Sequence, residues 1–202
     1  MQIILIRHGS TAGNLEHRYV GATDEPLTEH AVRGLLERQG AYPSADILFV
    51  SPLMRCVQTA ELLYPQMEQR IVCGLRECSF GDFEYKNYLE LQGNADYQAW
   101  LDSGGTLPFP GGESREAFAG RCCRAFEECC CMAQKLGCES AAFVVHGGTI
   151  MAVMERFGRP QKGYFDWQVK NAEGFCGRLE TGEGTHGRGI LITEIKKIKR
   201  LS

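Results

Sequence analysis

The stretch QIILIRHGSTAGN, residues 2–14, sets four consecutive apolar residues, Ile3 to Ile6, directly before Arg7, His8 and Gly9. A short continuous apolar run that ends in turn-forming residues reads as a strand buried on both faces. Such a strand belongs to a sheet covered by helices, and its end delivers a cation and an imidazole together. Two other apolar runs end alike. DILFV (46–50) leads into SPLMR, which carries Arg55 one turn into the next helix. AAFVV (141–145) leads into His146-Gly147-Gly148.

Working outward, strand-like and helix-like segments alternate. LTEHAVRGLLERQGAY reads as a helix with Thr28 as its N-cap. PLMRCVQTAELLY reads as a second helix, with Pro52 in its first turn. RIVCGL is a weaker strand. A long helix starts at Glu113 or Ser114 and runs to about Leu136, and TIMAVMERFG is a helix closed by Gly158. The tail predicts two strands, around EGFCGRLET and GILITEI, joined by a Gly-rich turn. The stretch from Ser79 to Pro110 is irregular, with helical character around NYLEL and DYQAWL. The pattern predicts an α/β fold with a mostly parallel central sheet. The 202 residues fit one domain, 1–202, with about 79–110 as a lid-like insertion.

A net charge of −3 argues against a general nucleic-acid binder. The basic end, KKIKRLS, reads as a solvated terminus. No apolar stretch approaches the ~20 residues that span a membrane, and no secretory leader is evident. A cytoplasmic location is therefore expected. Ten cysteines include no C-x-x-C pair. In CCRAFEECCC (122–131), Cys122 and Cys129 share a helix face, as do Cys123 and Cys130, so these read as reduced, mostly buried small hydrophobes.

Ligands of an open parallel sheet bind beyond the carboxyl ends of its strands. If the three runs are near neighbours, His8, His146, Arg7 and Arg55 meet at one sheet edge. Guanidinium forks match phosphate oxygens, and Gly9, Gly147 and Gly148 let backbone N–H groups approach an anion. A neutral imidazole among arginines is a fit nucleophile for phosphorus. Glu77, in GLRECSFGDFE, is the candidate acid for the leaving group, with Asp82 and Glu84 as sequence neighbours. Neither a Walker A loop nor a dense carboxylate cluster is present, which fits chemistry without a metal or other cofactor. Blander readings stand beside these. Arg55 suits a helix surface, and Asn14 a turn. His17, His30 and His186 lie in polar contexts, and Trp100 and Trp167 suit packing.

LIRHGSTAGN resembles the signature of the histidine phosphatase superfamily, also called phosphoglycerate-mutase-like. RYVGATDEPLT, SPLMRCVQTA, LRECSFGDFE, PGGES and VVHGGTI resemble its later motifs in the expected order, over nearly the whole chain. The resemblance implies a three-layer α/β/α sandwich with an inserted segment over the site. It makes His8 the nucleophile that becomes phosphohistidine and Glu77 the general acid/base. Arg7, Arg55 and His146 would bind the phosphoryl group, and Asn14 matches a polar contact of the first loop. Mutases of the family carry an arginine pair in the insertion, whereas Glu84 to Pro110 here holds Lys86 and no arginine. That favours the phosphatase branch, and the chain is similar to α-ribazole phosphatases. FEYK departs from the usual pattern, with Tyr85 in place of glycine, where it would narrow the entrance or stack on a substrate ring. The expected partner is a small phosphorylated metabolite, with no nucleic acid or membrane. A homodimer is the assembly kept in view. Mutase-type phosphotransfer and a non-catalytic phosphate-binding module are the alternatives.

Overall fold

The computed structural model describes residues 1–184 and 187–199. The chain runs β1 (Gln2–Arg7), α1 (Ala12–Leu15), α2 (Glu29–Leu36), β2 (Ile47–Val50), α3 (Met54–Leu63) and β3 (Gln69–Ile71). It continues through α4 (Ala95–Asp102), α5 (Arg115–Lys135), β4 (Ser140–Val145), α6 (Gly147–Phe157), β5 (Gly174–Gly184) and β6 (Gly187–Ile198). The sheet order is β3-β2-β4-β1-β5-β6. The first four are mutually parallel, and β5 and β6 are antiparallel additions.

Alternation along the central strands explains the layers. Ile3, Leu5, Phe49, Phe143 and Val145 face one core with α5 and α6. Ile4, Ile6, Leu48, Val50 and Val144 face the other, with α2 and α3. Each strand needs apolar residues at every position because both pleat faces are covered. The result is a three-layer α/β/α sandwich. The cysteines join it as apolar filler: Cys123, Cys129 and Cys130 lie in the α5 side of the core, and Cys122 packs with Cys78 and Phe118. All ten are free thiols, with Cys73 and Cys131 exposed.

Local chemistry sets the helix starts. Thr28 and Ser114 cap α2 and α5 by accepting from the N–H groups of Ala31 and Ala117. Pro52 does not lie in the first turn of α3. That helix starts at Met54, whose N–H donates to Asp24 Oδ1 at 2.6 Å. The cap comes from a remote loop, which no local pattern records. NYLEL is not helical either. Asn87 Oδ1 accepts from the N–H groups of Leu89 and Glu90, and Gly93 follows at φ 81°, so the segment forms turns. RIVCGL supplies strand only in Gln69–Ile71, then a 3₁₀ turn, Cys73–Leu75. Residues 79–110 contribute most of a separate small core, where Phe83, Leu91 and Tyr97 pack with Tyr19, Trp100 and Phe109.

The two last strands run further toward each other than the sequence pattern indicates, and the expected turn, with His186, lies outside the described residues. Lys196 to Ile198 close β6 rather than forming a loose end, and Lys197 pairs with Glu173 at 3.0 Å. The β1–β5 pairing depends on Gly174, where a Cβ would sit 1.8 Å from the Leu5 carbonyl oxygen. Gly174→Ala is expected to lower unfolding free energy by at least about 2 kcal/mol, read from denaturant titration.

Candidate active site

The carboxyl ends of β1, β2 and β4 are adjacent in the sheet, so their trailing residues converge. His8 follows β1 and donates its backbone N–H to Val145 of β4 at 3.0 Å. His146 follows β4 and is the N-cap residue of α6. The two rings meet edge to face, with centroids 5.2 Å apart. Arg7 closes β1, and Arg55 lies in the first turn of α3, fully buried rather than on the helix surface.

His8 Nδ1 lies 2.7 Å from the Gly9 carbonyl oxygen. A carbonyl only accepts, so Nδ1 carries the proton and Nε2 keeps its lone pair. His146 Nε2 is 2.6 Å from Ser51 Oγ and 3.5 Å from Cys56 Sγ. Burial and then the positive field of Arg55 hold both imidazoles well below the usual 6.5, so both are neutral near pH 7. Arg7 is lowered as well, first by burial; nearby Glu77 opposes that effect.

The two guanidiniums are held by carbonyls. Arg55 Nη1 donates to Thr23 at 2.7 Å, and Nη2 donates to Gly21 at 2.9 Å and Val20 at 3.3 Å. Arg7 Nη1 donates to Val169 at 2.8 Å. The Nε–H of each is buried without a partner. Among the described residues neither is ion-paired to a carboxylate. Buried cations in that state call for an anionic ligand.

Glu77 Oε1 accepts from its neighbour Cys78 N–H, and Oε2 accepts from Gly148 N–H at 3.1 Å. Burial raises its carboxyl above the usual 4.5, against those two hydrogen bonds and the pull of Arg55 and Arg7. A Cβ on Gly148 would stand 2.4 Å from Glu77 Oε1, so glycine is what admits the carboxyl to the start of α6. Of the neighbouring acids, Asp82 is exposed, and Glu84 is engaged elsewhere. Glu84 Oε1 accepts from the N–H groups of Gly21 and Thr23, bracing the loop that holds Arg55.

A cavity of about 350 Å³ opens onto this edge. Arg7, Asn14, Glu77, Gly147 and Gly148 line its polar part. Tyr19, Phe80, Trp100, Phe109, Tyr164 and Phe165 supply aromatic wall, so Trp100 is a lining residue as well as a packing one. His8, Arg55 and His146 are buried and contribute no lining. Tyr85 does not line the cavity. It occupies the left-handed region at φ 59°, where glycine is the easy residue, and its hydroxyl donates to Glu25 at 3.1 Å. His17 and His30 are exposed, and Trp167 is a packing residue at 2% exposure.

Several site residues escape the sequence patterns. Thr59 Oγ1 accepts from Gly9 N–H at 2.9 Å and donates to the Arg55 carbonyl, tying the first loop to α3. Ser51 holds His146. Glu25 accepts from Gly13 N–H at 3.2 Å. Asn171 Nδ2 contacts Asn14 Oδ1 at 2.9 Å. None carries a spacing signal, since each is a polar residue in a loop or within a helix.

The sheet edge combines two arginines without carboxylate partners, a neutral imidazole with a bare Nε2 and a carboxyl of raised pKa, a histidine-centred arrangement suited to an anionic ligand. Residues 3–185 match the family model of the histidine phosphatase superfamily (branch 1), and the chain belongs to that superfamily. It is 33% identical over 130 residues to the adenosylcobalamin/alpha-ribazole phosphatase of Escherichia coli (strain K12), a match over 60% of this chain and 63% of that relative. It is 31% identical over 163 residues to a 2,3-bisphosphoglycerate-dependent phosphoglycerate mutase 2 of Gloeobacter violaceus, over 75% of this chain and 73% of the relative. In fold it is similar to the solved alpha-ribazole phosphatase from Shigella flexneri, with a TM-score of 0.74, 23% identity and 96% of each chain covered.

Two expectations follow for stability and geometry. The buried histidines bind protons more weakly folded than unfolded, so unfolding free energy falls as pH drops below 6.5. The slope is up to about 1.4 kcal/mol per pH unit for each histidine. Glu77 acts in the opposite sense, one group against two. Urea titrations between about pH 5 and 8 check this, and His8→Asn should remove its share of the slope. Gly148→Ala should displace the Glu77 carboxyl and lower turnover about tenfold or more with the fold retained by circular dichroism.

Proposed function

We propose that this chain is a phosphomonoester hydrolase that works through a phosphohistidine on His8, without a metal. The observation that carries this function is the pair of guanidiniums, Arg55 buried and Arg7 half-buried, each with a buried orphaned Nε–H and no carboxylate, beside a neutral His8 with a free Nε2. Nε2 attacks phosphorus as the ester P–O bond breaks, and Glu77 gives its proton to the departing alkoxide. Water then attacks the phosphohistidine, gives its proton to Glu77, and inorganic phosphate leaves with His8 restored. Arg7, Arg55, Asn14 and His146 bind the transferring phosphoryl group and spread its charge.

The aromatic wall suits a leaving group with a flat apolar portion, and α-ribazole phosphate is the named substrate of that kind among the relatives. Mutase-type transfer is the alternative, since a mutase is also a relative. It is less favoured because the other cavity arginines are engaged: Arg18 with Glu16 and Glu90, and Arg115 with Glu155. The segment 79–110 contributes aromatic residues to the cavity and is the proposed lid.

Phosphate release should persist with chelator present and fall at least about a thousandfold in His8→Ala. Glu77→Gln should cost about 10²- to 10⁴-fold on alkyl phosphates and much less on p-nitrophenyl phosphate, whose leaving group needs no proton. The wild-type rate should decline as pH rises through the Glu77 pKa, and Glu77→Gln should lose that limb. Isomerisation of phosphoglycerate without net phosphate release would instead establish the mutase. Phosphate binding with no turnover across a broad ester panel would leave a binding module.

A further inference from the structure

We infer that Asn171 is a positioning residue that fixes which end of the Asn14 amide faces the cavity. Asn171 Nδ2 lies 3.1 Å from the His8 carbonyl oxygen, 3.3 Å from that of Gly9 and 2.9 Å from Asn14 Oδ1. Two of these partners are backbone carbonyls, which only accept, so the Asn171 atom facing them is the NH₂ group. An NH₂ group only donates, so the Asn14 atom it meets is the carbonyl oxygen. The backbone N–H of Thr11 also points at that oxygen, at 3.4 Å. With its oxygen satisfied from behind, Asn14 turns its NH₂ group forward as a donor. Asn14 lines the cavity beside Arg7. The opposite orientation would present an oxygen to a phosphoryl group and repel it.

Asn171 is itself held firmly. It precedes Ala172, which adopts φ 61°, a conformation a non-glycine residue keeps only under constraint. The Ala172 carbonyl accepts from Tyr42 Oη at 2.7 Å and from Arg38 Nη1 at 3.2 Å, and its N–H donates to the carbonyls of Arg7 and His8. The turn is thus bolted to the end of β1. The Gly9 carbonyl receives both His8 Nδ1–H and Asn171, which further fixes the Asn171 amide.

This assignment rests on the proposed phosphoryl-binding role of Asn14, and a double-mutant cycle tests it. The variants are Asn14→Ala, Asn171→Ala, the double variant and Asn171→Asp. The readouts are kcat and KM on p-nitrophenyl phosphate, inorganic phosphate affinity by calorimetry, and the melting temperature. Each single alanine variant should lower kcat/KM by about tenfold or more, and phosphate affinity with it. The double variant should fall within about twofold of Asn14→Ala, because Asn171 acts through Asn14. Asn171→Asp should be worse than Asn171→Ala, since a carboxylate faces two carbonyls and selects the reversed Asn14 amide. Additive single effects would overturn the inference. So would an Asn171→Asp variant no worse than the alanine, or an Asn14→Ala variant with unchanged phosphate affinity. If the wild-type protein binds phosphate but turns over no ester, the proposed hydrolase fails while the cycle, read on phosphate affinity, still decides the role of Asn171.

Discussion

Arg55 is a fully buried cation whose guanidinium rests on the carbonyls of Val20, Gly21 and Thr23. A charge in that place is tolerable only where dipoles surround it and a mobile anion completes the set. Much of the neighbouring structure serves that condition. Glu84 braces the loop of carbonyls, Asp24 caps the helix that carries Arg55, and Thr59 ties the same helix to Gly9. Carboxylates are close by, yet they are occupied with backbone N–H groups. A direct ion pair would neutralise Arg55 and weaken its pull on an anionic ligand.

The same field selects protonation states. Two arginines beside two buried histidines keep both imidazoles neutral, and a neutral imidazole is the form with a lone pair to offer. Glu77 lies within the same field but far enough from a direct pair that burial dominates and its carboxyl holds its proton more tightly than usual. The same burial therefore weakens proton binding by the two imidazoles and strengthens it at the Glu77 carboxyl. The physical cause is the sign of each group's charged form under desolvation.

The sandwich beneath is the frame for this arrangement. Placing β4 between β2 and β1 brings the three strand ends together, and crossovers through α3, α5 and α6 cover both faces. The antiparallel β5–β6 pair then adds an edge, and the turn that leads into it carries Asn171 back to the loop after β1. The aromatic cluster around Phe83 and Trp100 supplies Tyr19, Phe80, Trp100 and Phe109 to the cavity wall.

The sequence by itself determined the α/β layering, because apolar runs of strand length alternate with helical periods and need no remote information. It also pointed to Arg7, His8 and His146, because each closes or directly follows a buried run, whereas Arg55 lies in the helix after its run and was singled out by the resemblance of SPLMRCVQTA to a family motif. It left Glu77 among three acids and from spacing alone favoured a turn role for Asn14; the tertiary structure brings both to the cavity wall. Glu77 meets Gly148 across the fold, and Asn14 meets Asn171 from more than 150 positions away. The start of α3 was decided the same way, by Asp24, whereas the non-helical NYLEL follows from the local Asn87 turn. Strand ends follow from local hydrophobic pattern, whereas polar contacts between loops depend on a backbone path that exists only once the sheet has assembled.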